Sequence, residues 1–464
     1  MQARIRSLVI IFLIGFLIIT LNLTYIQIFQ ADSLLNNPNN TRFLTEELAI
    51  ERGIMQTADK VVIAKSRIAE NGYRRYYPQE EICAPVTGYY DIRFGRSGLE
   101  QSYNSYLLGK AKFSTFQEYL DDIAGRGHKG NDLYLTLNYK LQKAAYRAIE
   151  GKKGAVVAIN PKTGGVLAIA SWPSYNPNNI SKNWNTLIKD KGSPLLNRAL
   201  SGRYPPGSSF KIVSASAALD LGLASLKKYY PAPNELPVYG GKVTNYESKS
   251  YGQVNLEKAF TKSINTVFGQ VGLDVGAIKL VDYASRFGFN REIPFDLDMR
   301  QSQTKQATAM DKLEVAWTAV GQAATLATPF QMALVGATIA NSGNLMKPYL
   351  VQKIRNYKGL RVMDAKPQIL EKVMKKKTAK EVKAMMTKVV DQGTGQAANL
   401  GYNKVAGKTG TAEVYGMRPH AWFVGFAPAD NPTIAIAVLV ENVGTGGANA
   451  APIAKQILSV ALSQ

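Results

Sequence analysis

Three short strings follow one another along this chain: Ser208-Ser209-Phe210-Lys211, Ser263-Ile264-Asn265 and Lys408-Thr409-Gly410-Thr411. Together they hold a hydroxyl nucleophile, two amines able to carry protons, an amide, and hydroxyls beside a cation. That set suits acyl transfer through a serine ester, with lysine as the base that activates the hydroxyl. Ser208 follows Pro205-Pro206-Gly207 and opens an apolar run, which places it at a helix N-terminus. Free backbone N–H groups and the helix dipole favour an oxyanion there. Lys211, three residues on, shares a helical face with Ser208. Burial beside another cation would strip its proton and leave a base.

Each string alone is weak. Ser-x-x-Lys recurs at Ser225 and Ser302, Ser-x-Asn at Ser102, Ser174, Ser181 and Ser342, and Lys-Thr-Gly at Lys162. Context separates the copies. Lys227-Lys228-Tyr229 after Ser225 reads as a wet helix end, and Lys162 belongs to the turn Asn160–Gly165. Ser263 and Asn265 sit where Thr261–Val267 turns between helical runs, so both side chains can point one way; as a tripeptide they are equally two cap residues. Lys408–Thr411 follows Gly407 on a strand. A lysine and a threonine on one face of an edge strand, beside a glycine that admits a ligand, suit a carboxylate.

The elements that position these strings are legible around them. Ala155–Ile159 and Val166–Ser171 read as strands joined by the Asn160–Gly165 turn, and Val405–Ala412, Ala421–Phe426 and Thr433–Val440 as three more. Helical patterns cover about 208–220, 255–272, 277–287, 329–341 and 378–391, and Pro452–Leu462 closes the chain as a helix. Strands at both ends of a helical block predict one five-stranded antiparallel sheet flanked by helices, an α+β (α/β/α sandwich) class. Residues 31–150 are polar, broken by Gly and Pro, and carry none of the three strings.

Arg4 and Arg6 precede an uncharged apolar run from Leu8 to Phe29, whose 22 residues span ~33 Å as a helix. A cleaved signal has a shorter apolar core and a small-x-small site, whereas Gln30-Ala31-Asp32 follows here. The run is therefore read as an uncleaved anchor with a cytoplasmic N-terminus and everything beyond it outside.

With 464 residues and a net charge of +22, the chain is long enough for two soluble parts and strongly basic. The basic residues are dispersed, with no arginine-rich arm or zinc-finger spacing, so nucleic acid is not the expected partner. Anionic lipid and wall polymer explain the balance. Lys372–Lys383 is read as a solvated helix face, with Thr378 and Glu381 as a capping box and Val382, Met385, Met386 and Val389 as its apolar stripe. The one cysteine, Cys83, forms no internal disulfide, and two histidines, His128 and His420, make a Ser-His-Asp hydrolase unsuitable. His128 falls in a glycine-rich loop read as exposed, and His420 on a strand.

In this order the strings match the Ser-x-x-Lys, Ser-x-Asn and Lys-Thr-Gly set of penicillin-recognising serine enzymes. The chain resembles, nearly end to end, the class B penicillin-binding proteins, which are peptidoglycan D,D-transpeptidases. Glu51-Arg52-Gly53-Ile54 and Gly98-Leu99-Glu100 resemble the family's pedestal, and Tyr204–Gly207 its approach to the nucleophile. Gly321-Gln322, Thr328-Pro329, Ala340–Gly343 and His420–Pro428 are further matches. The short pedestal, with Tyr76-Tyr77-Pro78 and Pro85–Tyr90, is most similar to the actinobacterial PbpA type. Ser209 stands where threonine is commoner.

The resemblance implies a penicillin-binding/transpeptidase fold with a stub at 1–7, an anchor at 8–29, a pedestal at 30–150 and a catalytic part at 151–464. It implies that Ser208 attacks the D-Ala-D-Ala carbonyl, Lys211 is the base and Ser263, near Lys211 and Lys408, relays a proton. Asn265 would hold the substrate amide, while Lys408, Thr409, Gly410 and Thr411 would form the site for the terminal carboxylate. Backbone N–H groups of Ser208 and Thr411 would form the oxyanion hole. No cofactor or metal is implied. Expected partners are stem peptides, lipid-linked precursor strands, β-lactams, the cytoplasmic membrane, a separate SEDS-type glycosyltransferase and division or elongation proteins. The competing readings are a serine β-lactamase and a non-catalytic β-lactam sensor or division scaffold. The first lacks a Glu-x-x-x-Asn between Asn265 and Lys408, and the sensor lacks room for a cytoplasmic output domain.

Overall fold

The computed structural model describes residues 2–30, 47–70, 72–111 and 129–463. Helix Gln2–Tyr25 runs on through Ile26–Gln30, and its Ile5–Gln30 stretch is exposed and apolar, with a mean hydropathy of 2.5. Its 26 residues are enough to cross a bilayer. It is the one such helix among the described residues.

The five-stranded sheet forms as expected. Its order is Ala406–Val414, Met417–Ala427, Ile434–Val440, Gly154–Ile159 and Val166–Trp172, with every neighbour antiparallel. Ile434–Val440, Gly154–Ile159 and Val166–Trp172 are near-continuous apolar runs because helices cover both faces. Ala155, Val157, Ala437 and Leu439 join a core with helices Lys211–Asp220, Asn265–Val275 and Pro329–Ala340. The alternate residues Val156, Ala158, Ile436 and Val438 pack on Tyr139–Ile149 and Gly446–Leu462. Ala406–Val414 lies at the sheet's edge, leaving one side of the Lys-Thr-Gly strand unpaired.

A second, six-stranded sheet has the order Arg361–Asp364, Val351–Arg355, Asp132–Leu135, Met55–Gln56, Val62–Ala69 and Gly72–Tyr76. Met55–Gln56 pairs parallel with Asp132–Leu135. This sheet draws strands from both sides of residue 150. Beside it the two pedestal strings clasp one another: Glu100 accepts from Arg52 at 2.8 Å and from Arg75 at 2.6 Å, with all three side chains buried.

Three helix readings change. The stretch 255–272 is two helices, Leu256–Lys262 and Asn265–Val275, broken at Ser263. The last helix starts at Gly446, six residues before Pro452, which it contains. Thr378 caps nothing: the helix starts at Lys376, and the Thr378 hydroxyl donates to Asp220 at 2.6 Å. Asp220 also accepts from the Lys375 amide at 3.0 Å, so a carboxylate from another helix supplies the cap. The stripe Val382, Met385, Met386 and Val389 is fully buried.

Candidate active site

Ser208 lies in the short 3-10 turn Gly207–Phe210, which feeds directly into helix Lys211–Asp220. The turn is pressed against the edge strand at two glycines. A Cβ on Gly207, whose φ is +53°, would stand 2.6 Å from the Thr411 carbonyl oxygen, and one on Gly410 would stand 2.7 Å from the Pro206 oxygen. Only glycine allows that approach. Trp422 reinforces it by donating from Nε1 to the Pro205 carbonyl at 2.9 Å.

The second string enters through backbone strain. Ser263 is left-handed, at φ 60° and ψ 40°, and ends one helix as Asn265 begins the next. A non-glycine residue held there costs about 1–3 kcal/mol, and such strain collects at functional sites. The turn points the Ser263 and Asn265 side chains at Lys211. Lys211 Nζ donates to Ser263 O at 2.8 Å, Ser263 Oγ at 3.3 Å and Asn265 Oδ1 at 2.7 Å. From the other side Lys408 Nζ donates to the same Ser263 Oγ at 2.9 Å and to the Thr409 carbonyl at 3.0 Å.

Both lysines are completely buried, and neither pairs with a carboxylate among the described residues. Burial, then repulsion from Lys408, holds Lys211 well below an ordinary lysine. Burial brings Lys408 down to about 7. An amine that loses its proton near neutrality has a lone pair to receive one, which an ordinary lysine lacks.

Ser208, Ser263, Asn265, Thr409 and Thr411 line one open cavity of about 410 Å³. Ser208 Oγ makes no hydrogen bond among the described residues, so the hydroxyl stands free towards the cavity; catalytic contacts of this kind commonly close only with substrate in place. Lys408 departs from the sequence reading. The pleat sends successive side chains to opposite faces, so Thr409, Thr411 and Glu413 line the cavity while Lys408 lies behind Ser263. Lys408 and the threonines do not share a face.

Two residues that the strings did not flag hold the site. Thr394, in the Gly393-Thr394-Gly395 turn, shares a hydrogen bond with the Thr409 hydroxyl, and its glycine-flanked position is the one signal in the sequence. Asn245 is buried and bonds Thr266, next to Asn265, through both ends of its amide. His420 is structural: its Nδ1 accepts from the Asn442 amide at 3.1 Å and its ring meets Tyr204 edge-on. His128 lies outside the described residues. Cys83 is buried, which pushes its thiol up and leaves it inert.

A buried lysine pair with no carboxylate partner among the described residues, one lysine on a helix and one on the sheet's edge strand, meets at the strained Ser263 behind a free serine; that arrangement defines a class of serine acyl-transfer enzymes, and comparison with known proteins gives the same class. The penicillin-binding protein transpeptidase domain matches residues 154–459, and the penicillin-binding protein A dimerisation domain matches residues 52–133. The chain belongs to the penicillin-binding protein transpeptidase family. Over its whole length it is 33% identical to all of the peptidoglycan D,D-transpeptidase PbpA of Mycolicibacterium smegmatis. It is 34% identical to the protein of the same name from Mycobacterium tuberculosis, over 100% of this chain and 99% of that one. Among solved structures, a ceftriaxone acyl-enzyme complex of penicillin-binding protein A from M. tuberculosis matches with a TM-score of 0.85 at 33% identity, covering 90% of this chain and 100% of that one. The D,D-transpeptidase domain of a peptidoglycan glycosyltransferase from Eggerthella lenta gives 0.83 at 37% identity, covering 89% and 99%.

Proposed function

We propose that this chain is a peptidoglycan D,D-transpeptidase that works through an ester on Ser208 and is acylated by β-lactams. The observation that carries the reading is the buried lysine pair sharing Ser263 behind the free Ser208 hydroxyl. Neutral Lys211 takes the Ser208 proton as Oγ attacks the carbonyl between the two D-alanines of a stem peptide. Backbone N–H groups of Ser208 and Thr411 receive the oxyanion. Ser263, bonded to both lysines, passes a proton to the leaving amine as the C–N bond breaks and D-Ala departs. Thr409 and Thr411 receive the terminal carboxylate beside Gly410, with the Lys408 charge behind them. Asn265 Nδ2 donates one hydrogen to Thr244 O at 2.9 Å and keeps its second for the stem amide. An amine of a neighbouring stem then attacks the ester, forms the crosslink and returns the proton to Ser208.

The helix Gln2–Gln30 holds the chain in the membrane, and Arg4 and Arg6 keep its N-terminus cytoplasmic with the catalytic part outside. The working division remains stub 1–7, anchor 8–29, pedestal 30–150 and catalytic part 151–464, with helix Tyr139–Ile149 and hairpin Val351–Asp364 packing across it. Lipid-linked precursor strands supply the substrate, a separate SEDS-type glycosyltransferase polymerises the glycan, and division or elongation proteins recruit the pair. Labelling by fluorescent penicillin followed by washout tests the central claim. Label should persist for many minutes on the wild type and be missing from Ser208→Ala. Rapid loss indicates a β-lactamase instead, and no label on the wild type rejects the assignment.

A further inference from the structure

The cavity beside Ser208 carries charges that the acyl-transfer chemistry leaves unused. Glu247 and Lys249 on one wall and Glu413 on the other all line it, and all three are exposed. None forms an ion pair or side-chain hydrogen bond among the described residues, although charges of both signs share one cavity.

The wall that holds Glu247 and Lys249 is built rigidly. Glu247 (φ 55°) and its neighbour Ser248 (φ 49°) are both left-handed, a costly run for two non-glycine residues. Buried Asn245 fixes it: Nδ2 donates to Lys249 O at 2.8 Å, Pro233 O at 2.8 Å and Thr266 Oγ1 at 3.2 Å, and Oδ1 accepts from Thr266 N at 3.0 Å. The loop Tyr246–Lys249 is thus locked to the helix that carries Asn265, and Asn265 itself bonds Thr244 at the loop's start.

The position of these charges along a bound stem follows from the proposed function, on which this step rests. With the terminal carboxylate at Thr409 and the scissile carbonyl at Thr411, the stem continues along the edge strand towards Glu413. The amide that Asn265 holds joins the penultimate D-alanine to the third stem residue. That third residue therefore lies between the Tyr246–Lys249 loop and Glu413.

We infer that Glu247, Lys249 and Glu413 recognise a zwitterionic side chain on the third residue of the donor stem, one ending in both an ammonium and a carboxylate. Glu247 and Glu413 take the ammonium and Lys249 takes the carboxylate. A lysine-type third residue satisfies only the two glutamates and leaves Lys249 unmatched. The residues determine specificity and do not move protons.

Protection of the full-length protein against fluorescent penicillin tests this, using soluble stem pentapeptides whose third residue is either meso-diaminopimelate or lysine. The diaminopimelate peptide should slow labelling at about three- to fivefold lower concentration, the scale of one partly exposed charge pair. Lys249→Met should bring that ratio to about one, and Lys249→Arg should restore it. Glu247→Gln should weaken both peptides, and its remaining penicillin labelling reports that the variant is folded. Equal protection by the two peptides, no protection by either, or a ratio unmoved by Lys249→Met overturns the inference while leaving the transpeptidase assignment standing. Failure of penicillin to label the wild type overturns that assignment instead.

Discussion

Replacing Lys408 by methionine should move the pH dependence of Ser208 acylation upward. The two lysine Nζ atoms lie 3.3 and 2.9 Å from one Ser263 oxygen. They are therefore no more than about 6 Å apart, which at an effective dielectric constant of about 20 is a repulsion of about 3 kcal/mol. That energy corresponds to about two pH units on whichever lysine loses its proton first, while its partner is still charged. Lys211 holds its proton least because burial acts first on it and the Lys408 charge adds to it. With methionine in place, burial remains and repulsion goes, so the Lys211 pKa rises. Acylation requires neutral Lys211, so its acid limb should shift up by about two units, and the rate well below that limb should drop about a hundredfold. At alkaline pH the two rates should converge, because Lys211 is neutral in both. Lys408→Arg keeps a permanent cation beside Lys211 and should leave the limb where it is or lower it. The assay is the first-order acylation rate at saturating fluorescent penicillin, from about pH 5 to about pH 10, which separates the protonation step from any loss of carboxylate binding. An unmoved limb in Lys408→Met, or an equal rise in Lys408→Arg, would show that the cation pair does not set the Lys211 proton affinity.

The same lysines should make stability climb with pH. Both have folded pKa values below their unfolded ones, so between about 7 and about 10 the unfolded chain binds more protons, and each deprotonated lysine adds about 1.4 kcal/mol per pH unit. Denaturant midpoints across that range should rise in the wild type and flatten in Lys211→Met/Lys408→Met. Burial alone would raise the Glu100 carboxyl, but Arg75 and Arg52 outweigh it and hold the carboxyl below its ordinary value, so its contribution is present above the ordinary carboxylate range and lost as pH falls through the lowered value. Glu100→Gln leaves the buried Arg75 guanidinium without its carboxylate and Arg52 with only Glu47 at 4.0 Å, and should cost about 3–5 kcal/mol, read as a lower melting temperature. Gly207→Ala must push the nucleophile turn off the Thr411 carbonyl and should slow acylation at least tenfold, whereas Gly416→Ala, also left-handed at φ +70° but with open space around its Cβ, strains only the hairpin tip and should leave acylation within about twofold. In spheroplasts an impermeant maleimide should label Tyr415→Cys, at a fully exposed hairpin tip, but neither buried Cys83 nor Ser7→Cys on the cytoplasmic flank; label on Ser7→Cys alone would reverse the orientation.

The legible parts of the site are those that local rules determine. Pro205-Pro206-Gly207 before a helical run places Ser208 correctly because a helix start is written within a few residues. Ile434–Val440, Gly154–Ile159 and Val166–Trp172 are legible because both their faces are buried, which turns each into an apolar run bounded by turn residues, whereas the edge strand Ala406–Val414 is polar where it faces the cavity. What local rules cannot reach are the places where distant segments supply the partner. Thr378 and Glu381 carry a capping-box pattern, yet Asp220, 158 residues away, offers Thr378 a better acceptor and the helix starts earlier. Met55–Gln56 is too short to be read as a strand, and it exists because Asp132–Leu135 and Val62–Ala69 flank it. The break at Ser263 has no glycine to announce it. The strain is held in place because the Ser263 carbonyl and hydroxyl are both bonded to buried lysines, one of them 145 residues on. For the same reason the composition Lys-Thr-Gly identifies the strand but misplaces its lysine. Alternation alone puts Lys408 on the buried face, and only the fold brings Ser263 there to carry its charge round to the cavity. The sequence therefore names the groups that do the chemistry, while the coupling that tunes their proton affinities belongs to the tertiary structure.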